Sequence, residues 1–331
     1  ILGGAGDDSV TIGVAQQGGW VDLGPGADVL WLLRGANALT LAGVETVIGG
    51  EGDDNLALAV AVSGALFDLG AGLDRVALAD GVNRASLAGA ETVIGGTGDD
   101  VITLLQPMAG GLVDLGAGGD RLVLASGGNE LQVAGVETIQ GGAGADRITL
   151  AVPAASARLD LGAGLDALRL ADGSNGVTLT GAESVTGGAG ADTIIVLDAT
   201  GATLTGEDGA DHLTGGAGGD RLTGGAGADT LRGGAGADLF LYRDASDAPA
   251  GGGDLILDFS PAEGDRIVFA GLGAPPSFIG SAAFSGAGSA ELRFDPATRM
   301  LLLDLDGDAT ADTAIALPGT APIGADAVLW A

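Results

Sequence analysis

Apolar residues along this chain alternate more often than they cluster. Ile102 and Leu104 share one side of a short segment, as do Leu122 with Leu124 and Ile148 with Leu150; Leu222 and Leu231 take the same place in shorter segments. A period of two is the signature of a strand with one face turned to a core. The neighbours Arg121, Arg147, Arg221 and Arg232 then fall on the opposite, solvent face. Glycine-rich segments ending in Asp precede these runs, which predicts short strands joined by tight turns. Strands this short cannot bury a core singly. Stacked coils can, with adjacent coils pairing as parallel strands. The predicted fold class is therefore all-β: a parallel β-roll or β-helix solenoid.

Internal repeats sharpen the picture. Gly-Gly recurs at 3, 49, 95, 141 and 187, always 46 residues apart. Asp-Leu-Gly at 22, 68, 114 and 160, and Glu45, Glu91, Glu137 and Glu183, keep the same spacing. Four 46-residue units thus occupy residues 1–186. Within a unit, half-coils begin near 49, 58, 69, 78 and 86. Five is odd, so successive Gly-Gly loops should fall on alternating edges, and Asp54 should neighbour Asp74. The same register pairs Asp8 with Asp28, Asp100 with Asp120, Asp146 with Asp166, Asp211 with Asp229 and Asp220 with Asp238. The rival winding, two enlarged coils of about 23 residues per unit, would place every Gly-Gly loop on one edge.

In residues 187–242 the shorter rhythm stands alone: GEDGADHLT, GGAGGDRLT, GGAGADTLR and GGAGADLFL follow one another from 206 to 241. This G-G-x-G-x-D-x-U-x pattern resembles the RTX (repeats-in-toxin) calcium-binding family. The chemistry of the residues agrees. Glycine permits positive φ and close backbone approach. Ca²⁺ takes six to eight oxygens, more than one short loop supplies, so adjacent loops would share an ion through Asp carboxylates and Gly carbonyls. The candidate ligands are Asp8, Asp28, Asp54, Asp74, Asp100, Asp120, Asp146, Asp166, Gly187, Gly190, Asp192, Gly206, Asp208, Asp211, Gly215, Gly218, Asp220, Gly224, Gly227, Asp229, Gly233, Gly236 and Asp238. Solvated turn aspartates are the competing reading. Glu45, Glu91, Glu137 and Glu183 fall at the same loop position with fewer glycines, where an exposed loop is the expectation.

From 243 to 331 the nonapeptides stop and aromatics and prolines appear. GDLILDFSPAEGDRIVF (253–269) and residues 290–317 are similar to the segment following the roll in serralysin-type secreted proteins. That resemblance implies a C-terminal β cap and an uncleaved type I secretion signal, with Asp326–Ala331 matching the signal's acidic residue followed by apolar ones. Asp304, Asp306, Asp308 and Asp312 mimic an EF-hand, but its twelfth position is Ile315 rather than Glu, which favours a structural turn.

The chain has 331 residues and a formal net charge of −31, from 44 acidic and 13 basic side chains. That charge excludes nucleic acid as a partner. With 46% hydrophobic residues a core can still form, which argues against disorder. No cysteine is present, so no disulfide framework exists. The apolar run from Leu56 to Phe67 is too short to span a bilayer, so a soluble chain is expected. The chain begins inside a repeat without a leader, and Ile1 is expected to be a cut or processed end.

Catalytic signals are sparse. His212 is the single histidine, which rules out H-E-x-x-H and disfavours a His-based triad; its outward strand position suggests a surface residue. Trp20, Trp31 and Trp330 are expected to pack, with a carbohydrate or partner surface as the alternative. The expectation is a non-enzymatic, secreted protein that folds on multiple Ca²⁺ ions and serves as a structural or adhesive surface or matrix element. Its partners would be calcium, the type I secretion machinery, and its own copies or a surface polysaccharide. The alternative is the calcium-dependent folding and secretion module of a larger secreted enzyme.

Overall fold

The computed structural model describes residues 1–320 and 322–331, and the chain divides into two compact units, Ile1–Ala167 and Leu168–Ala331. Both are all-β. Helical structure among the described residues is confined to the short 3₁₀ turns Ala245–Asp247 and Ala325–Ala327, and no helix is long and apolar enough to cross a membrane.

The first unit is a β-roll whose strands go alternately to two parallel sheets. One sheet contains Ser9–Ile12, Val29–Leu32, Thr46–Glu51, Ser63–Ala71, Arg84–Ala88, Val101–Leu104, Arg121–Val123, Thr138–Gly142 and Ala157–Gly162, each paired in parallel with the next. The other contains Gln17–Asp22, Ala38–Ala42, Asn55–Leu58, Arg75–Ala77, Thr92–Thr97, Ala109–Ala117, Glu130–Ala134 and Arg147–Leu150. A 46-residue unit therefore spends five strands. Gly49 lies in the first sheet and Gly95 in the second, so equivalent loops alternate between edges, and the two-enlarged-coil winding is excluded. In the first three units the extra residue is absorbed by a bulge: the register shifts at Gly18, Gly64 and Gly110, all at positive φ.

Alternation sets the core. Ile102, Leu104, Leu122, Leu124, Ile148 and Leu150 are buried, together with Leu30, Val47, Leu56, Phe67 and Val76 from neighbouring coils. Arg121 and Arg147 point to solvent. Apart from these bulges the register is in step from coil to coil, so side chains of like position stack in the interior.

The second unit repeats this plan through Gly176–Thr180, Thr193–Val196, His212–Thr214 and Thr230–Arg232 on one sheet, and through Ser184–Ala189, Thr203–Asp208, Arg221–Ala226 and Leu239–Tyr242 on the other. Past residue 242 the winding persists for one further coil: Leu255–Ile256 pairs with Thr230–Arg232, and Arg266–Phe269 with Leu239–Tyr242. The antiparallel strands Glu291–Asp295, Met300–Asp304 and Thr313–Ala316 then finish one sheet, and Val328–Trp330 finishes the other. Aromatic contacts fill this end, with Phe240 edge-on to Phe259 and Phe269 between Tyr242 and Trp330. Trp330 also donates to the Gly273 carbonyl at 2.8 Å. Trp20 and Trp31, expected to pack, instead stand 50% and 40% exposed on the outer faces, because each falls on the outward parity of its strand.

Close stacking of loops explains the third glycine of each nonapeptide. Gly227 has φ +151°, and a Cβ there would overlap the Gly209 carbonyl oxygen of the preceding coil. Gly251, by contrast, has open space around it. Gly227→Ala should lower stability in millimolar calcium by at least the ~1–3 kcal/mol of a strained backbone, while Gly251→Ala should be near neutral. Urea unfolding of both variants checks this; equal midpoints would contradict the stacking argument.

Candidate metal centres

Each loop ends by turning an acidic or amide side chain inward, where its oxygen accepts the backbone N–H of the equivalent residue one coil earlier. Asn37 N–H donates to Asp54 Oδ1 at 2.9 Å, Asp54 N–H to Asp74 Oδ1 at 2.7 Å, and Asp74 N–H to Glu91 Oε2 at 2.8 Å. The same ladder recurs 46 residues on: Asn83 to Asp100, Asp100 to Asp120, and Asp120 to Glu137, at 2.7 Å each. Asp8 to Asp28, Asp28 to Glu45, Asn129 to Asp146 and Asp146 to Asp166 follow the pattern. In the second unit one ladder runs Asn175, Asp192, Asp211, Asp229, Asp254, and another runs Asp220, Asp238, Asp265. Every pair of aspartates expected to be neighbours is adjacent in a ladder.

One carboxylate oxygen is thereby satisfied. The other accepts a loop N–H in Asp8, Asp192, Asp220 and Asp265, from Gly4, Gly188, Gly216 and Ser260. Oδ2 of Asp28, Asp74, Asp100, Asp120, Asp146, Asp211, Asp229 and Asp238 is instead buried with no hydrogen-bond donor. A buried anionic oxygen without a partner costs several kcal/mol, so a periodic series of them calls for a cation. The first glycine of each loop makes room for that oxygen: a Cβ on Gly187, Gly206, Gly215, Gly224 or Gly233 would collide with Oδ2 of Asp192, Asp211, Asp220, Asp229 or Asp238. Gly190, Gly227 and Gly236 take positive φ, and Gly218 is pressed against the backbone of Thr200 and Gly201. Hard oxygen donors, carboxylate and carbonyl, with no nitrogen or sulfur ligand, suit Ca²⁺. The residues present fit that ion.

Electrostatics reflect the crowding. Burial is the main cause that pushes Asp74, Asp120, Asp211 and Asp238 up to about 6, with neighbouring carboxylates adding to it. Burial likewise takes Asp229 to about 7 and Asp254 to about 8.

Some expectations shift. Asp208 is exposed and stands outside the ladders, whereas His212 is exposed beside Asp211 as its outward strand position led us to expect. Glu45, Glu91 and Glu137 are ladder members rather than free loop residues, because the longer side chain reaches the same amide from a loop with fewer glycines. In the cap, Asp304, Asp306 and Asp312 bring carboxylate oxygens within 4.8 Å of one another. Both oxygens of Asp304 accept turn N–H groups, from Gly307 and Ala309, and Asp312 accepts from Leu305, which is turn-holding work. Sequence reasoning missed Asp254 and Asp265; the truncated Gly-Asp-x-apolar motif at 253–256 and 264–267 was their signal. It also missed Asn37, Asn83, Asn129 and Asn175, although their 46-residue spacing was in view.

The RTX calcium-binding nonapeptide repeat family matches at residues 39–57, 87–104, 133–150, 178–196 and 205–240. Among solved structures, the AlgE6R3 subunit of the Azotobacter vinelandii mannuronan C5-epimerase is 32% identical over 42% of this chain and 78% of its own, with a TM-score of 0.31. The AlgE6R2 subunit of the same epimerase is 33% identical over 40% of this chain and 88% of its own, with a TM-score of 0.29. No curated protein matches.

The raised carboxyl groups give the calcium-free protein an inverted pH response. Their folded values lie above the unfolded 3.8, so the native state holds more protons than the unfolded state between about pH 4 and pH 8. Stability is then fully present near pH 4 and is lost as pH rises through 6 to 8. In EGTA, the urea midpoint should fall between pH 5 and pH 7.5. In saturating calcium the trend should reverse, since ligation requires ionised carboxylates. A calcium-free midpoint that rises with pH would contradict this assignment.

Proposed function

The chain belongs to the RTX calcium-binding repeat family, and from that premise we propose that it is a secreted protein whose β-roll folds on binding calcium outside the cell and then serves as a structural or adhesive surface element. The observation that carries this reading is the series of buried, donor-less Oδ2 atoms along the ladders. With a net charge of −31, the calcium-free chain repels itself and its ladders hold anions away from water. Each Ca²⁺ removes two charges and gives several oxygens a partner at once. Millimolar extracellular calcium then acts as the folding signal, while a calcium-poor cytosol keeps the chain open for export. The outer faces of the sheets, carrying Thr, Arg and the exposed Trp20 and Trp31, are the surfaces available to a matrix partner.

Circular dichroism in EGTA at pH 7.5 should show little β signal, and millimolar calcium should restore it cooperatively. A full β spectrum in EGTA would defeat the proposal.

Export depends, in this reading, on residues 243–331 as both cap and type I secretion signal. Truncation after Tyr242 removes Asp254 and Asp265, the last rungs under Asp229 and Asp238. The truncated protein should remain inside cells that carry a type I exporter and should aggregate when refolded in calcium. Normal export of a monomeric truncation would refute both roles.

A further inference from the structure

The asparagines enter the ladders as the aspartates do, with an amide nitrogen in place of one carboxylate oxygen. Asn83 Oδ1 accepts the Val62 N–H at 3.1 Å, as an Asp Oδ1 does at other rungs. Its Nδ2 occupies the place where those aspartates carry the donor-less Oδ2. From there it donates to the carbonyls of Ala79 at 2.8 Å and Gly81 at 2.9 Å, and to Asp100 Oδ1 at 2.9 Å. Asn129 repeats the set with Ala125, Gly127 and Asp146 at 3.0, 2.8 and 2.8 Å. Asn175 does so with Ala171, Gly173 and Asp192 at 2.8, 2.9 and 2.8 Å. Asn37 reaches Gly35 and Asp54.

Three oxygens thus converge on the amide nitrogen in the Asn83, Asn129 and Asn175 loops: the carbonyls four and two residues before the rung, and a carboxylate from the next coil; at Asn37 it meets the carbonyl two residues before and the carboxylate. An amide nitrogen there is a donor and satisfies them. A carboxylate oxygen there adds a fourth acceptor, and acceptors alone cannot satisfy one another. We infer that Asn37, Asn83, Asn129 and Asn175 stand in for calcium, closing their loops with a neutral amide where the aspartate loops require a cation. The inference rests on the calcium reading of the aspartate loops. It divides each four-rung ladder of the first unit into one metal-independent loop, at Asn, and two metal-dependent loops, at the following aspartates. In the ladder beginning at Asn83, the Asp100 and Asp120 loops hold ions and the Asn83 loop does not.

The test is the calcium stoichiometry of the full chain by native mass spectrometry, with the calcium midpoint of folding by circular dichroism. N83D should bind one more Ca²⁺ than wild type, N83D/N129D two more, and both should need more calcium to fold. N83A, which removes the donor without supplying a carboxylate, should bind no additional ion. If N83D fails to fold, N129D and N175D carry the same expectation in independent copies. A wild-type count in the folded aspartate variants would overturn the inference while leaving calcium-driven folding intact. Wild type that binds no calcium would overturn the functional reading and this inference with it.

Discussion

A carboxylate oxygen accepting the amide of the coil before it is the interaction on which the rest of this structure depends. It sets the height of one coil on the next, fixes strand register, and draws acidic side chains inside. Having spent one oxygen on the backbone, Asp28, Asp74, Asp100, Asp120, Asp146, Asp211, Asp229 and Asp238 leave the other buried with no donor. The glycines are subordinate to this arrangement: they clear space beside Oδ2 and let carbonyls approach. Hydrophobic stacking supplies the bulk of the core, but the ladders decide whether that stacking is electrostatically tolerable.

Among the described residues, the arginines that follow ladder aspartates turn away from the buried rungs. Arg75, Arg121, Arg147 and Arg221 each follow a ladder aspartate directly, and strand alternation therefore turns them to the outer face. The ion pairs of Arg169 with Glu207, Arg232 with Asp258 and Arg293 with Asp295 lie outside the buried rungs, and the exposed Arg169–Glu207 pair contributes little. Neutralisation has to come from solution. An ion that neutralises from within also crosslinks adjacent coils, which couples charge balance to cohesion.

Much of this was legible in the sequence because it is periodic. The strand parity of Ile102, Leu122 and Ile148, the five half-coils per unit, and the adjacency of Asp54 with Asp74 all follow from spacing alone. What spacing could not show was the reach of side chains. Glu91 joins a ladder from a loop that lacks the usual glycines, since one extra methylene brings Oε2 to the Asp74 amide. Asn83 went unread because its value lies in an amide meeting two carbonyls of its own loop and a carboxylate of the next coil. Trp31 was misjudged for a different reason: parity places it outward, and the size of its ring suggested otherwise. The cap was the least legible part, because Asp254 and Asp265 continue the ladders after the glycine motif that marks them has been lost.

The odd number of strands in a 46-residue unit has a consequence for how such a chain can change length. Within the first unit, adding or deleting a single repeat would turn over the rest of that unit, carrying its later residues from one outer face to the other and its later ladders to the opposite side. Duplications in twos leave both faces as they were. A lineage that needs a particular face for contact is therefore held to even steps, whereas one that uses the molecule only as a spacer is free to take odd ones.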